Sequence, residues 1–365
     1  MAKTTVTFDN AKFNSFERAF AESSNVVRWI PAGILLAVSG GADSVAMLRC
    51  FAALVNSSTF DSLPFVNSFG EIHVAHVNHG LRKNESDDDA LFVRRLAETF
   101  HFSYHEFSLN SAMFEADDSG SLEAAARRLR YDFLCQTAEQ NTLRYVATAH
   151  NADDQTETIL HRILRGTGVA GLAGIPTVRR LSGAVTLVRP MLYFSKTQIL
   201  EYLTTLKQPF RTDSTNHESH FTRNKIRNEL LPQLAAEYNP SVADAIRRLG
   251  EQAAEWNKFI AAQTERLYDC TVKLCANREK NRAPQNMAEI QVIVRTEPLQ
   301  RQPRLLIREL FVMIWKSQKW SLRGMTHKHW NLLADFVVVS SKKRRQTFPG
   351  NVTVKRRNEF VILEK

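Results

Sequence analysis

Six consecutive residues, Ser39-Gly40-Gly41-Ala42-Asp43-Ser44, have the types and order to hold a phosphate. Glycine lacks a Cβ, so backbone N–H groups at Gly40 and Gly41 can close around an oxyanion. A helical pattern opens near Asp43 and Ser44, adding the positive end of a helix dipole and further free N–H donors. The Gly-x-x-x-x-Gly-Lys-Ser/Thr spacing of a Walker loop is absent, and no lysine follows the glycines. A cradle without that lysine suits a pyrophosphate that leaves as a unit, with Asp43 available to hold Mg²⁺. An ordinary strand-to-helix turn, with glycines serving only packing, is the plainer alternative.

A second cluster, His150-Asn-Ala-Asp-Asp-Gln-Thr-Glu157, puts Asp153, Asp154 and Glu157 in the first two turns of an expected helix. Asp154 and Glu157 are three apart, and Asp153 and Glu157 four apart, so each pair shares a face. Dipole stabilisation is worth about 0.3–1 kcal/mol per carboxylate. Four ionisable groups within eight residues exceed what capping needs. They read as a cation site, for Mg²⁺, an amine, or both.

Both clusters need a scaffold. Apolar, β-prone runs at 34–38, 72–77 and 145–148 alternate with helical patterns at 45–54, 87–100 and 122–139. That alternation predicts an α/β, Rossmann-like parallel sheet covered on both faces. Ligands collect beyond the carboxyl ends of such strands. Residues 39–44, 76–82 and 150–157 each follow a strand end, so three motifs converge on one edge. Residues 1–30 read as a lead-in, and 31–235 as the domain that carries the motifs. Pro232 and Pro240 mark its end. Residues 240–365 read as a smaller, mainly helical domain: a long helix over 241–274, a polar loop at 277–286, and helices at 300–316 and 326–336. Short strands at 351–356 and 360–363 close it.

With 365 residues, 44% of them apolar, the chain can form two or three domains with real cores. No run of about 18 apolar residues occurs, and no signal-peptide core opens the chain, so no membrane partner is expected. Cys50, Cys135, Cys270 and Cys275 form no Cys-x-x-Cys pair, which disfavours zinc or a disulfide framework and makes the reducing cytoplasm the default. A net charge of +10 favours a polyanionic partner. Lys342-Lys-Arg-Arg345 and Lys355-Arg-Arg357 concentrate that charge in the tail, where it suits phosphates. Trp315, Trp320 and Trp330 read as core rather than stacking platforms.

The loop Ser-Gly-Gly-x-Asp-Ser resembles the PP-loop of the ATP pyrophosphatases. Residues 148–168 resemble the tRNA(Ile)-lysidine synthetases of that superfamily. So do Ala75-His-Val-Asn-His-Gly-Leu-Arg82, Leu122-Glu-Ala-Ala-Ala-Arg-Arg-Leu-Arg-Tyr131, Arg189-Pro190, Asp213-Ser-Thr-Asn216 and Arg223-Asn-Lys-Ile-Arg227. The motifs keep the family's order across about residues 30–235; residues 240–365 match only loosely.

The resemblance implies a reaction. ATP adenylates the C2 oxygen of cytidine 34 in a tRNA(Ile) with a CAU anticodon, and the amine of L-lysine then displaces AMP to give lysidine. It implies ATP contacts at Ser39, Gly40, Gly41, Ala42, Asp43, Ser44, Ala75 and His76, with the Ala75–Val77 backbone against adenine. Mg²⁺ is expected on Asp43 and Asp154. Asp43, Arg130, Asp154 and Glu157 are the expected catalytic residues, with Asp154 and Glu157 forming the lysine pocket and Asp154 as base or orienter. Glu123, Arg127 and Arg130 share a helical stripe, where Arg127 or Arg130 could meet the α-phosphate or the base. Arg127, His150, Asp153, Arg165, Arg223 and Arg227 are the expected substrate contacts, with Arg165, Arg189, Arg223 and Arg227 either RNA-facing or structural. His76, His79 and His150 are either catalytic or scaffold. Family members are often dimeric, so a homodimer is among the expectations, and the tail is expected to dock tRNA. The rivals are a PP-loop tRNA thiolase, an amidotransferase-type synthetase and a non-catalytic RNA-binding module.

Overall fold

The computed structural model describes residues 14–23, 26–56, 70–78, 84–109, 122–212, 222–276, 290–338 and 345–365. Residues 1–13, His79, Arg82, the 213–216 motif, the loop 277–286 and basic residues 342–344 lie outside these, as does the side chain of Glu123. The chain forms two compact units, Met1–Glu251 and Gln252–Lys365, divided within the helix Val242–Thr271.

The first unit is built on strands β1 (Ile34–Ala37), β2 (Ile72–Asn78), β3 (Ser103–Ser108), β4 (Tyr145–Thr148), β5 (Val178–Arg180) and β6 (Thr186–Val188). They lie in the order β3-β2-β1-β4-β6-β5, all parallel except β5, which runs antiparallel to β6. Period-two alternation splits β1 between two cores, as a sheet covered on both faces requires. Ile34 and Leu36 pack with Met47, Leu48 and Phe51 of the helix Ala42–Val55. Leu35 faces the other way, onto Leu134 and Ala138 of the helix Leu122–Gln140. The stretch expected as a lead-in contributes Phe20, Trp29 and Ile30 to the first core. Its Glu17 is held there by the Tyr202 hydroxyl, which donates at 2.8 Å.

The second unit carries an antiparallel sheet of β7 (Val272–Ala276), β8 (Ile290–Arg295), β9 (Arg345–Phe348), β10 (Val352–Arg357) and β11 (Phe360–Glu364), in the order β7-β8-β11-β10-β9. Helices Arg304–Ser317 and His327–Val338 pack in the same core, where Trp315 and Trp320 are buried and Trp330 lies against them. The two expected terminal strands are therefore two of five in a larger antiparallel sheet. β7 takes over the last residues of the helix expected to reach 274, because Val272, Leu274 and Ala276 pair along β8.

Candidate active site

Ala37 at the end of β1 is in register with Ala75 of β2 and Thr148 of β4. The loops that follow the three strands therefore start at one level. The chain runs outward from β1 through β2 and β3, then returns to the far side of β1 at β4. That reversal is the switch point where doubly wound sheets open a crevice. Here it forms a cavity of about 350 Å³, lined by Ser39, Gly41, Asp43 and Ser44 after β1, Ala75 and Val77 in β2, and Thr148, Ala149 and His150 after β4. Arg127 and Arg130 enter from the helix Leu122–Gln140, Asp154 from the helix Ala152–Leu164, and Arg223 from the helical run Thr222–Lys225.

The phosphate loop is pinned at several points. Gly40 sits at φ +92°, a conformation that favours glycine. Ser44 Oγ donates to the Gly41 carbonyl at 2.9 Å and accepts the Ser39 N–H at 3.2 Å. The Arg211 N–H donates to the Gly40 carbonyl at 2.9 Å, and the Arg211 guanidinium pairs with Asp89 at 3.3 Å. Gly41 caps the helix Ala42–Val55 without a side-chain bond, so no cap occupies the N–H groups of its first turn. Such groups suit an anion.

Opposite stands a wall of matched charges. Asn151 and Asp154 form a capping box, Asn151 accepting the Asp154 N–H at 2.9 Å and Asp154 accepting the Asn151 N–H at 3.0 Å. This fixes Asp154 at the helix start and explains the local sequence. Arg223 and Arg227 then clamp the acids. Arg223 donates to Asp154 at 2.9 Å and to Glu157 at 2.8 Å, while Arg227 donates to Glu157 at 2.5 and 3.0 Å. Glu157 is 1% exposed, with both oxygens taken. Burial raises the Asp154 pKa, against the pull of Arg223. Asp43 is matched too. Lys196 Nζ donates to both its oxygens at 2.9 Å, and Asn151 Nδ2 donates to one at 3.2 Å. Asp153 accepts the Lys196 backbone N–H at 2.6 Å and so seats the start of the helix Lys196–Thr205.

The remaining wall is basic. Burial, reinforced by Arg189, Arg130, Arg127 and Arg223, pushes His150 down to about 3. Its imidazole is thus neutral near pH 7 and shares a 3.1 Å hydrogen bond with the Thr148 hydroxyl. His76 is buried, with Nδ1 2.9 Å from the Val38 carbonyl, and burial lowers its pKa. It braces β1 against β2.

Ten of the expected site residues thus line the cavity: Ser39, Gly41, Asp43, Ser44, Ala75, Arg127, Arg130, His150, Asp154 and Arg223. Gly40, Ala42, His76, Asp153, Glu157 and Arg227 stand behind that surface and hold it in place. Arg165 is exposed at the far end of the helix Ala152–Leu164, away from the cleft. Lys196 is the residue that sequence reasoning missed. Its neighbours Ser195 and Gln198 form a capping box that marks a helix start, but nothing local points to Asp43. In the second unit, Lys355 pairs with Glu364 at 2.7 Å and Arg356 donates to the Phe336 carbonyl at 2.6 Å, whereas Arg345 and Arg357 are exposed.

Known proteins resemble this chain. A family model described as a PP-loop domain matches residues 14–234. The tRNA(Ile)-lysidine synthase of Rhodopirellula baltica is 32% identical over 319 residues, covering 83% of this chain and 79% of that one. The same-named protein of Solibacter usitatus is 33% identical over 334 residues, covering 91% and 67%. For that of Bacteroides thetaiotaomicron the figures are 38% over 231 residues, 62% of this chain but only half of the relative. Among solved structures, a U34-tRNA thiolase, NcsA from Methanococcus maripaludis, superposes with a TM-score of 0.51 at 15% identity, covering 66% of this chain and 77% of that one. That likeness speaks to fold alone.

Proposed function

This chain belongs to the tRNA(Ile)-lysidine synthase family, and we propose that it joins L-lysine to C2 of cytidine 34 in the CAU anticodon of tRNA(Ile), consuming ATP and releasing AMP and pyrophosphate. The observation that carries this reading is the meeting, at one switch point, of an open phosphate loop with a carboxylate corner.

A cytosine C2 oxygen is a poor leaving group and must be activated. Its attack on the α-phosphorus of ATP breaks the bond to pyrophosphate, whose charge the N–H groups after Gly41 and the Ser39 hydroxyl receive, joined by Ser44 once its hydroxyl turns from the Gly41 carbonyl. Arg127 and Arg130 reach the same cavity and meet charge on the α-phosphate or the base. The Ala75–Val77 backbone, which lines the cavity through Ala75 and Val77, is the adenine contact. Asp43 and Asp154 offer the hard oxygen donors that Mg²⁺ takes, and the ion could replace Lys196 on Asp43. Mg²⁺ when bound supplies charge neutralisation for the phosphates.

In the second half, a lysine amine attacks C2, the C2–O bond breaks and AMP departs. The amine must shed a proton. Asp154 is suited to take it, because burial raises its pKa. Glu157 supports the pocket by holding Arg223 and Arg227 rather than by facing the cavity. The thiolase rival finds no support in the cysteines. Cys50 is fully buried, burial raises its thiol pKa, and none of the four lines the cavity.

We assign catalysis to residues 31–235 and tRNA docking to 240–365, in a cytoplasmic homodimer. Transfer of radiolabelled L-lysine to a CAU-anticodon tRNA(Ile) transcript, with Mg²⁺ and ATP, tests the central claim. ATP-dependent label that vanishes when cytidine 34 becomes uridine is the expected result. AMP release without lysine incorporation would overturn the choice of nucleophile, and tRNA binding without AMP release would leave only a binding module.

A further inference from the structure

The basic wall of the cleft extends beyond the two arginines that the adenylation step uses. Tyr131 lies at its centre, 8% exposed, with its hydroxyl beside the Arg189 guanidinium. The guanidinium carbons of Arg127, Arg130 and Arg179 stand 5.2, 5.2 and 4.7 Å from its ring centroid. A fourth arginine, Arg189, is 2% exposed; it donates to the Pro176 carbonyl at 2.5 Å while its Nε has no partner. Among the described residues, no carboxylate pairs with any of the four, whereas Arg223 and Arg227 share two. Burial alone would raise the Tyr131 pKa, yet Arg130, Arg127, Arg189 and Arg179 together bring it below its ordinary value.

Cation–π contacts return about 0.5–2 kcal/mol each. Arg127 and Arg179 keep water at their charges, whereas Arg189 is buried, and taking such a charge out of water costs several kcal/mol. Among the described residues no carboxylate matches that charge, and an anion bound to the wall would match it. Position selects which anion. Arg127 and Arg130 line the cavity, but Arg179 is exposed on β5, the edge strand. At about 4.8 Å per strand, the β5 backbone lies roughly 14 Å across the sheet from β1, and the Arg179 side chain reaches back from that edge to the Tyr131 ring. An ATP bound at Ser39–Ser44 has its phosphates beside β1 and not at the edge. An RNA strand carries a phosphate at every nucleotide, so one that inserts a base into this cleft brings a neighbouring phosphate to its rim.

We propose that Arg179, Arg189 and Tyr131, with Arg127 and Arg130 deeper in the cleft, bind the RNA phosphodiester adjacent to the reactive cytidine, so that the anticodon loop enters over β5. This rests on the tRNA substrate proposed above. Tyr131 supplies a buried hydroxyl, Arg189 a buried Nε–H without a partner, and Arg179 the outer charge.

The test is equilibrium binding of a tRNA(Ile) transcript to the full chain and to Arg179→Ala, Arg179→Glu and Tyr131→Phe variants, across a salt series, with ATP binding measured separately without RNA. Arg179 is exposed, so its variants fold, which thermal melts check. For Arg179→Ala we expect tRNA affinity to fall about 5–10-fold and the slope of log K against log salt to flatten by about one. Arg179→Glu should lose more, Tyr131→Phe should weaken tRNA binding, and ATP affinity should hold in the Arg179 variants. Loss of ATP affinity with tRNA binding intact would assign the wall to nucleotide and overturn the proposal. Unchanged affinity for both would make the wall structural and overturn it as well. Lysine incorporation by the unmodified chain, run in parallel, separates these failures from a failure of the substrate assignment.

Discussion

The two walls of one cleft handle charge in opposite ways. On the acid side three carboxylates already have cations: Asp43 has Lys196, while Asp154 and Glu157 share Arg223 and Arg227. On the basic side Arg127, Arg130, Arg179 and Arg189 surround Tyr131 without a described carboxylate among them. A matched wall stabilises the empty protein, and its ligand must exchange with a resident partner. An unmatched wall costs the empty protein stability and gains it back from an anion. Removing a group should therefore harm folding on one side and function alone on the other.

The most damaging break is expected at Asp43. Asp43→Ala should lower AMP formation by about 10³-fold or more, measured as pyrophosphate release in the presence of tRNA. On the unmatched wall, Arg130→Met should cost about 10²-fold in lysidine formation. Its thermal midpoint should stay level or rise, because a half-buried cation without a carboxylate is gone; a clear fall would erase the distinction between the walls. Glu157→Gln should do the reverse, destabilising the fold by about 3 kcal/mol because Arg223 and Arg227 lose their shared partner. The Michaelis constant for lysine should rise more than that for ATP, and equal rises would remove Glu157 from the lysine pocket.

Two milder tests sharpen the same contrast. His150 titrates near 3 when folded against an ordinary 6.5. The unfolded chain therefore takes up its proton first, and the His150 contribution to stability, complete above about 6.5, is lost as pH falls toward 3. His150→Gln should make the acid limb shallower, by about 2–4 °C in midpoint at pH 5. The smallest effect is expected at Lys196. Its half-exposed pair with Asp43 is worth about 0.2–1 kcal/mol, so Lys196→Met should let Mg²⁺ act at concentrations about 1.5–5-fold lower. A Mg²⁺ titration of ATP binding reads this, and a requirement that rises would make Lys196 a phosphate ligand instead.

Legibility followed the range of the interactions. The strands at 34–38, 72–77 and 145–148 are apolar because they are buried on both faces, and the structure forms them within a residue at either end. β3, with the sequence Ser-Tyr-His-Glu-Phe-Ser, lies at a sheet edge and is only partly buried, so its pattern carries no continuous apolar run. β7 continues a helical periodicity and becomes a strand only because β8 lies beside it. The phosphate loop and the 150–157 cluster declare themselves locally, since both depend on how a helix starts. Lys196 does not, being 153 residues from Asp43. Tyr131 and Arg189 were visible within motifs, but their meeting with Arg179 depends on β5 folding back along β6.

The bond from Arg211 to Gly40, with the bridge between Gly41 and Arg211 beside it, ties the phosphate loop to a segment made much later. A ribosome adding about 5–20 residues per second needs roughly 10–30 s to travel from one to the other. Through that interval the growing chain holds a β1 that can pair and a helix that can pack, but its glycine turn lacks its brace. Nucleotide in the cell therefore meets a fully braced loop only once Arg211 has emerged.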